Sequence, residues 1–139
     1  MADGYRFSLP IDIRYGDMDT LGHVNNAKYL TYLEQARVHY FRELALWDGS
    51  VSDTGFIVAR IEIDYRMALS LDDRQAIVYT RTSRLGSKSL DLDCLITRAS
   101  DDAVAATART VMVAYDYVRD TSVALLESWR QRISQYDGL

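Results

Sequence analysis

The stretch Tyr15-Gly16-Asp17-Met18-Asp19-Thr20-Leu21-Gly22-His23-Val24-Asn25-Asn26-Ala27-Lys28-Tyr29 ends one strand pattern and opens the strongest helix pattern in the chain. Asp17 and Asp19 precede a turn marked by Gly22. Asn25 and Asn26 stand where a helix N-cap belongs, because their side-chain oxygens can accept the first orphan N–H groups. The apolar helical pattern starts at Tyr29. Such an N-terminus presents unpaired N–H donors and the positive end of the helix dipole, parts able to hold a developing oxyanion beside a carboxylate.

Upstream, the odd positions from Tyr5 to Tyr15 are apolar or aromatic and the even ones are mostly polar, which is the period of a half-buried strand. Pro10 donates no ladder hydrogen bond, so this strand belongs at a sheet edge or carries a bulge. Downstream, from about Ala27 to Leu46, the period becomes helical. Tyr29, Tyr32, Leu33, Ala36, Tyr40 and Leu44 share one face, and Lys28, Thr31, Gln35, His39 and Arg42 the other. Leu30, Val38 and Phe41 widen the apolar face, as suits a helix wrapped by a sheet.

A loop through Trp47 to Gly55 then leads to alternation over Ile57 to Met67, and Leu71-Asp72-Asp73-Arg74 reads as a turn. Strands over Gln75–Arg84 and Ser89–Arg98 flank Leu85-Gly86-Ser87-Lys88, a hairpin signal in which Gly86 is expected to take positive φ. Ser100 to Asp102 forms the next turn. Val104 to Tyr117 mixes helix-favouring alanines with β-branched and aromatic residues, and its context makes it a strand. Ser122 is expected to cap a final helix, Val123 to Tyr136, with Leu125, Leu126, Trp129 and Ile133 on its apolar face. The order is strand, long helix, four antiparallel strands, short helix. That is an α+β arrangement of one sheet around one helix.

At 139 residues the chain is long enough for one domain with a core of its own, spanning residues 1–139. A formal net charge of −4 with only two lysines, Lys28 and Lys88, supplies no broad basic field, so no nucleic-acid partner is expected. The single cysteine, Cys94, excludes an intrachain disulfide, and a reducing cytosol is the simpler setting. Neither a secretory signal nor an apolar run of transmembrane length is found, so a soluble cytoplasmic protein with no membrane partner is expected.

The pattern Tyr15-x-Asp17-x-Asp19-x-x-Gly22-His23-Val24-Asn25-Asn26-x-x-Tyr29, followed by Tyr32-x-Glu34-x-x-Arg37, resembles the hot-dog-fold acyl-CoA thioesterases of the 4-hydroxybenzoyl-CoA thioesterase type. The order of elements extends the likeness over nearly the whole chain, but only this segment is specific. The resemblance implies a hot-dog fold and hydrolysis of an acyl-CoA to free acid and coenzyme A. It implies no cofactor beyond the coenzyme A of the substrate, and a homodimer, or a homotetramer as a dimer of dimers, with the pocket between subunits.

Residue by residue, the family's essential acid falls on Asp19, as nucleophile or as general base toward water. Taken on spacing alone, Asp19 reads instead as a turn cap. The family's oxyanion N–H falls on Asn26, and Tyr15 matches a tyrosine used by some relatives. His23 could hydrogen-bond substrate or carboxylate, or hold the loop through its backbone. Asn25 is a cap, Asn25 and Tyr29 border the substrate, and Asp17 reads as structural. Gly86, Ser87 and Lys88 match the hairpin that contacts coenzyme A phosphates, and an ammonium with loop N–H groups suits a pyrophosphate. The alternative is a solvated hairpin tip. Glu34 and Arg37 form an i, i+3 pair that could serve the dimer.

Competing chemistries fit less well. A calcium loop starting at Asp17 would place Leu21 at its fifth position and Lys28 at its twelfth, where oxygen ligands are required. Asp17, Asp19 and His23 are too few for a transition-metal site, and Cys94 lies in a strand with no assigned base. A hot-dog dehydratase needs a histidine and an acid at another spacing. The rival of a different class is a non-catalytic module that binds acyl thioesters or an acyl carrier.

Overall fold

The computed structural model describes residues 2–47 and 52–139. The elements are β1 (Phe7–Asp12), α1 (Asn26–Glu43), β2 (Thr54–Tyr65), β3 (Gln75–Leu85), β4 (Ser89–Arg98), β5 (Val104–Asp116), β6 (Thr121–Ser122) and α2 (Glu127–Asp137), with 3-10 turns at Tyr15–Asp17 and Leu71–Asp73. The strands form one antiparallel sheet in the order β1-β3-β4-β5-β2, with β6 paired to β5. Register shifts at Val58/Arg60, Thr82/Arg84 and Ile96/Thr97 interrupt the ladders. Bulges of this kind bend strands, and the sheet curls around α1 as a hot-dog fold.

β1 lies at the sheet edge, where the missing N–H of Pro10 costs nothing. The periodicity of α1 matches its burial: Tyr29, Tyr32, Leu33, Ala36, Tyr40 and Phe41 are buried against the sheet. Facing them, Leu90, Leu92, Cys94 and Ile96 of β4 and Ala76 and Val78 of β3 alternate inward. Leu30, by contrast, is exposed, so the apolar face of α1 is narrower at its first turn than the sequence suggests. None of the described helices is long and apolar enough to cross a membrane.

Three expectations are corrected. The final helix begins at Glu127, not Val123, because Thr121 and Ser122 extend the sheet as β6 and the Val123 N–H donates to the Ala114 carbonyl. Ser122 therefore caps nothing. Leu125, Trp129 and Ile133 are buried as the pattern requires, whereas Leu126 is exposed at the cap. Gly86 does not take positive φ; its hairpin closes through Gly86 N–H on the Ser89 carbonyl at 2.7 Å. Glycine is needed there for room, since a Cβ would meet the Ser89 oxygen at 3.0 Å. The first strand ends at Asp12, and Tyr15, in a 3-10 turn, is 83% exposed rather than turned into the core. The loop expected at 47–55 lies partly outside the described residues, and Thr54 and Gly55 already belong to β2.

Candidate functional site

The loop between β1 and α1 is built on its two aspartates, each used differently. Asp17 closes the 3-10 turn: the Arg14 N–H donates to its Oδ2 at 3.0 Å and the Arg14 guanidinium approaches its Oδ1 at 3.4 Å. The Tyr32 hydroxyl, from α1, donates to the same Oδ2 at 2.7 Å. The Asp17 side chain is fully buried. Burial pushes its pKa up, but the hydrogen bonds from Tyr32 and Arg14 and the Arg14 charge outweigh it and hold the carboxyl below the ordinary range.

Asp19 lies on the exposed side of the loop and closes the next turn. Its Oδ1 accepts the N–H groups of Leu21 at 2.9 Å and His23 at 3.1 Å, while its own N–H donates to the His23 carbonyl at 2.7 Å. Gly22 supplies the positive φ of 80° this turn requires. His23 holds the loop through its backbone, and its side chain is exposed beside Asp19 in the turn. Two further bonds anchor the loop: Val24 N–H on the Leu69 carbonyl and Asn25 N–H on the Asp17 carbonyl, both 2.8 Å.

Asn25 is the N-cap, its Oδ1 accepting the Ala27 N–H at 2.9 Å and its carbonyl the Lys28 N–H at 2.8 Å. With those two amides engaged, the N–H of Asn26 has no acceptor among the described residues. The first turn of α1 therefore keeps one free donor next to the loop that carries Asp19. Tyr29 is buried below it, its hydroxyl 3.5 Å from the Met67 carbonyl. Tyr15 and Leu21 project from the same loop, at 83% and 79% exposure.

Gly86, Ser87 and Lys88 are not part of this cluster. Register pairs Asp12 with Gln75 at the loop end of β3, and the hairpin follows Leu85 at the other end, about 35 Å away along the strand. There the Leu125 N–H donates to the Ser87 carbonyl at 3.0 Å, and Arg130 binds the carbonyls of Gly86 and Ser87. One protomer thus separates two groups that the family resemblance assigns to one substrate.

An apolar groove of about 590 Å³ runs beside the second half of α1, walled by Val38, Phe41, Phe56, Val58 and Met112. Arg37 also borders it, its side chain 10% exposed and 3.8 Å from Glu34. Burial lowers the pKa of that guanidinium, and the Glu34 charge partly offsets the effect. Sequence reasoning missed Tyr32 and Arg14 as the partners of Asp17. Helical periodicity places Tyr32 on the buried face but says nothing of where its hydroxyl goes. No group of three or more metal-ligating side chains occurs among the described residues.

Comparison with known proteins gives a consistent picture. Residues 13–133 match the sequence model of the Thioesterase-like superfamily. The long-chain acyl-CoA thioesterase FadM of Escherichia coli K12 is 30% identical over 135 residues, covering 90% of this chain and 95% of that protein. The acyl-CoA thioesterase YbgC of Haemophilus influenzae is 37% identical over 70 residues, covering 48% of this chain and 52% of that protein. A thioesterase of Thermus thermophilus, crystallised with coenzyme A and zinc, superposes with a TM-score of 0.85 at 34% identity, over 99% of this chain and 98% of that one.

Proposed function

The chain belongs to the Thioesterase-like superfamily, and from that premise we propose that it hydrolyses an acyl-CoA thioester to a free carboxylic acid and coenzyme A. The observation that carries the reading is the pairing of an exposed carboxylate, Asp19, held by its own turn, with a free first-turn N–H, that of Asn26. A thioester carbonyl placed on that N–H would develop negative charge on its oxygen as Asp19 acts on its carbon or on a water beside it. In the nucleophilic route an Asp19 oxygen bonds the carbonyl carbon and the C–S bond breaks. The thiolate leaves and takes a proton from solvent, and water then opens the mixed anhydride. In the general-base route Asp19 takes a proton from water as the water oxygen bonds the carbonyl carbon; the C–S bond then breaks, and the proton passes from Asp19 to the departing thiolate. Tyr15 and His23, on the same loop, line the rim.

We place the acyl group along α1, where the groove beside Val38 and Phe41 offers apolar walls. The hairpin then serves the same thioester only if it comes from a second copy, because β3 holds Gly86–Lys88 far from Asp19 within one chain. The reading therefore includes a homodimer with a shared site, in the cytoplasm as the setting of a chain with one unpaired cysteine.

The test is thiol release from short, long and aromatic acyl-CoAs by the wild type and by Asp19→Asn. Turnover that falls at least about a hundredfold in the variant supports the enzyme and its carboxylate. Tight acyl-CoA binding with no turnover would identify a binding module instead. Oxygen-18 from water appearing in the Asp19 carboxylate during a single turnover would separate the nucleophilic from the general-base route.

A further inference from the structure

We propose that Tyr65 is a positioning residue for thioester cleavage, because its hydroxyl ties down the carbonyl of the residue whose N–H is left free for the oxyanion. This rests on the thioesterase reading and names a group of the same site. Tyr65 ends β2, at the sheet edge opposite β1, and donates to the Asn26 carbonyl at 2.9 Å. Its ring stands edge-on to Tyr29, with centroids 5.2 Å apart, and Tyr29 in turn reaches the Met67 carbonyl. The first turn of α1 is thus fastened from two sides, by Asn25 and the loop on one and by the end of β2 on the other.

The fastening matters because of what it spares. The cap engages the amides of Ala27 and Lys28, and Tyr65 engages the carbonyl of Asn26, so of that residue's two backbone groups only the N–H is left without a partner. Helix ends fray, and an oxyanion donor is useful in proportion to how little it must reorganise when charge develops. A cross-strand tether on the same residue limits that motion. Nothing in the period-two pattern of β2 marks Tyr65 for this task, since a strand-end tyrosine is ordinary there.

Tyr65→Phe removes the hydroxyl and keeps the ring against Tyr29. With an acyl-CoA that the wild type turns over, the variant is expected to lose about tenfold in kcat while KM stays within about threefold, a fraction of what deleting an oxyanion donor outright would cost. Amide hydrogen exchange followed by NMR is expected to quicken at Ala27 and Lys28, whose amides the cap engages, and to stay unchanged in the middle of α1. A kcat within twofold of wild type overturns the proposal, as does a loss confined to KM. Unchanged exchange at Ala27 and Lys28 overturns it whether or not any acyl-CoA is hydrolysed. Asp19→Asn, run alongside, reports separately on the thioesterase reading. If Tyr65→Phe is too unstable to assay at 25 °C, comparing kcat for both proteins at a lower temperature, each checked as folded by circular dichroism, decides by the same thresholds.

Discussion

The hydroxyl of Tyr32 donates a 2.7 Å hydrogen bond to Oδ2 of Asp17, a carboxylate with no exposed surface, and so ties the loop before α1 to the helix it leads into. Because Asp17 carries charge in a buried place, its partners are expected to matter more than an average polar contact. Tyr32→Phe should destabilise the fold by about 1.5–3 kcal/mol, the range for a hydrogen bond to a charged group, as read by urea denaturation.

The same carboxyl makes a prediction about acid. Its pKa is lowered in the folded state, so its contribution is fully present above the unfolded carboxyl value of about 3.9 and is lost as pH falls through the lower folded value. Asp17→Asn should therefore lower stability at neutral pH and flatten its decline below about pH 4. Denaturation midpoints measured from pH 2 to 7 check this. A variant curve parallel to wild type across that range would contradict it.

Asp19 has a structural role that an amide can take over. Asparagine at 19 keeps a side-chain oxygen for the N–H groups of Leu21 and His23, so Asp19→Asn should melt within about 2 °C of wild type even as thiol release collapses. Asp19→Ala removes the acceptor and should cost about 1 kcal/mol in addition to activity. Equal stability losses in the two variants would mean that charge, not the turn, is what the fold needs there.

Site sharing can be tested by mixing. If one copy supplies Asp19 and another Lys88, a dimer formed from Asp19→Asn and Lys88→Ala chains contains one intact site and one doubly altered site. Co-refolding equal amounts should then recover about a quarter of wild-type activity, measured at an acyl-CoA concentration that leaves Lys88→Ala impaired. Activity no higher than the average of the two separate variants would place both residues in one-chain sites, or remove Lys88 from the site.

At the far end of α1, Asp137 accepts the Thr82 N–H at 3.0 Å and the Tyr40 hydroxyl, and Tyr40 also meets Thr82 Oγ1 at 2.7 Å. Burial, followed by the bond to Asp137, raises the Tyr40 pKa. This cluster locks α2 onto α1 and β3. Asp137→Ala should cost about 1.5–3 kcal/mol and lower the melting temperature by several degrees. A calorimetric scan of the two proteins checks the size.

The period-two runs of β1, β3 and β4 and the helical run of α1 were legible because burial of one face imposes a repeat on the residues themselves. The N-cap at Asn25 and the turn at Gly22 were legible because each needs a particular side chain or a particular φ at one position. Gly86 shows the limit, since glycine can be required for φ or for room, and only the approach of the Ser89 carbonyl tells which. Ser122 shows another, because a cap residue placed just before a helical run was outcompeted by pairing with β5. Local sequence carried the order of the long elements though not β6, the loop that holds two aspartates at a helix N-terminus, and the family pattern written there. Tertiary structure alone decided that Asp17 is buried against Tyr32, that Tyr65 reaches Asn26 from 39 residues away, and that β3 sets the Gly86–Lys88 hairpin apart from Asp19. The reason is physical: periodicity and capping are local constraints, whereas hydrogen bonds between side chains and groups distant in sequence depend on how strands and helix are brought together in space.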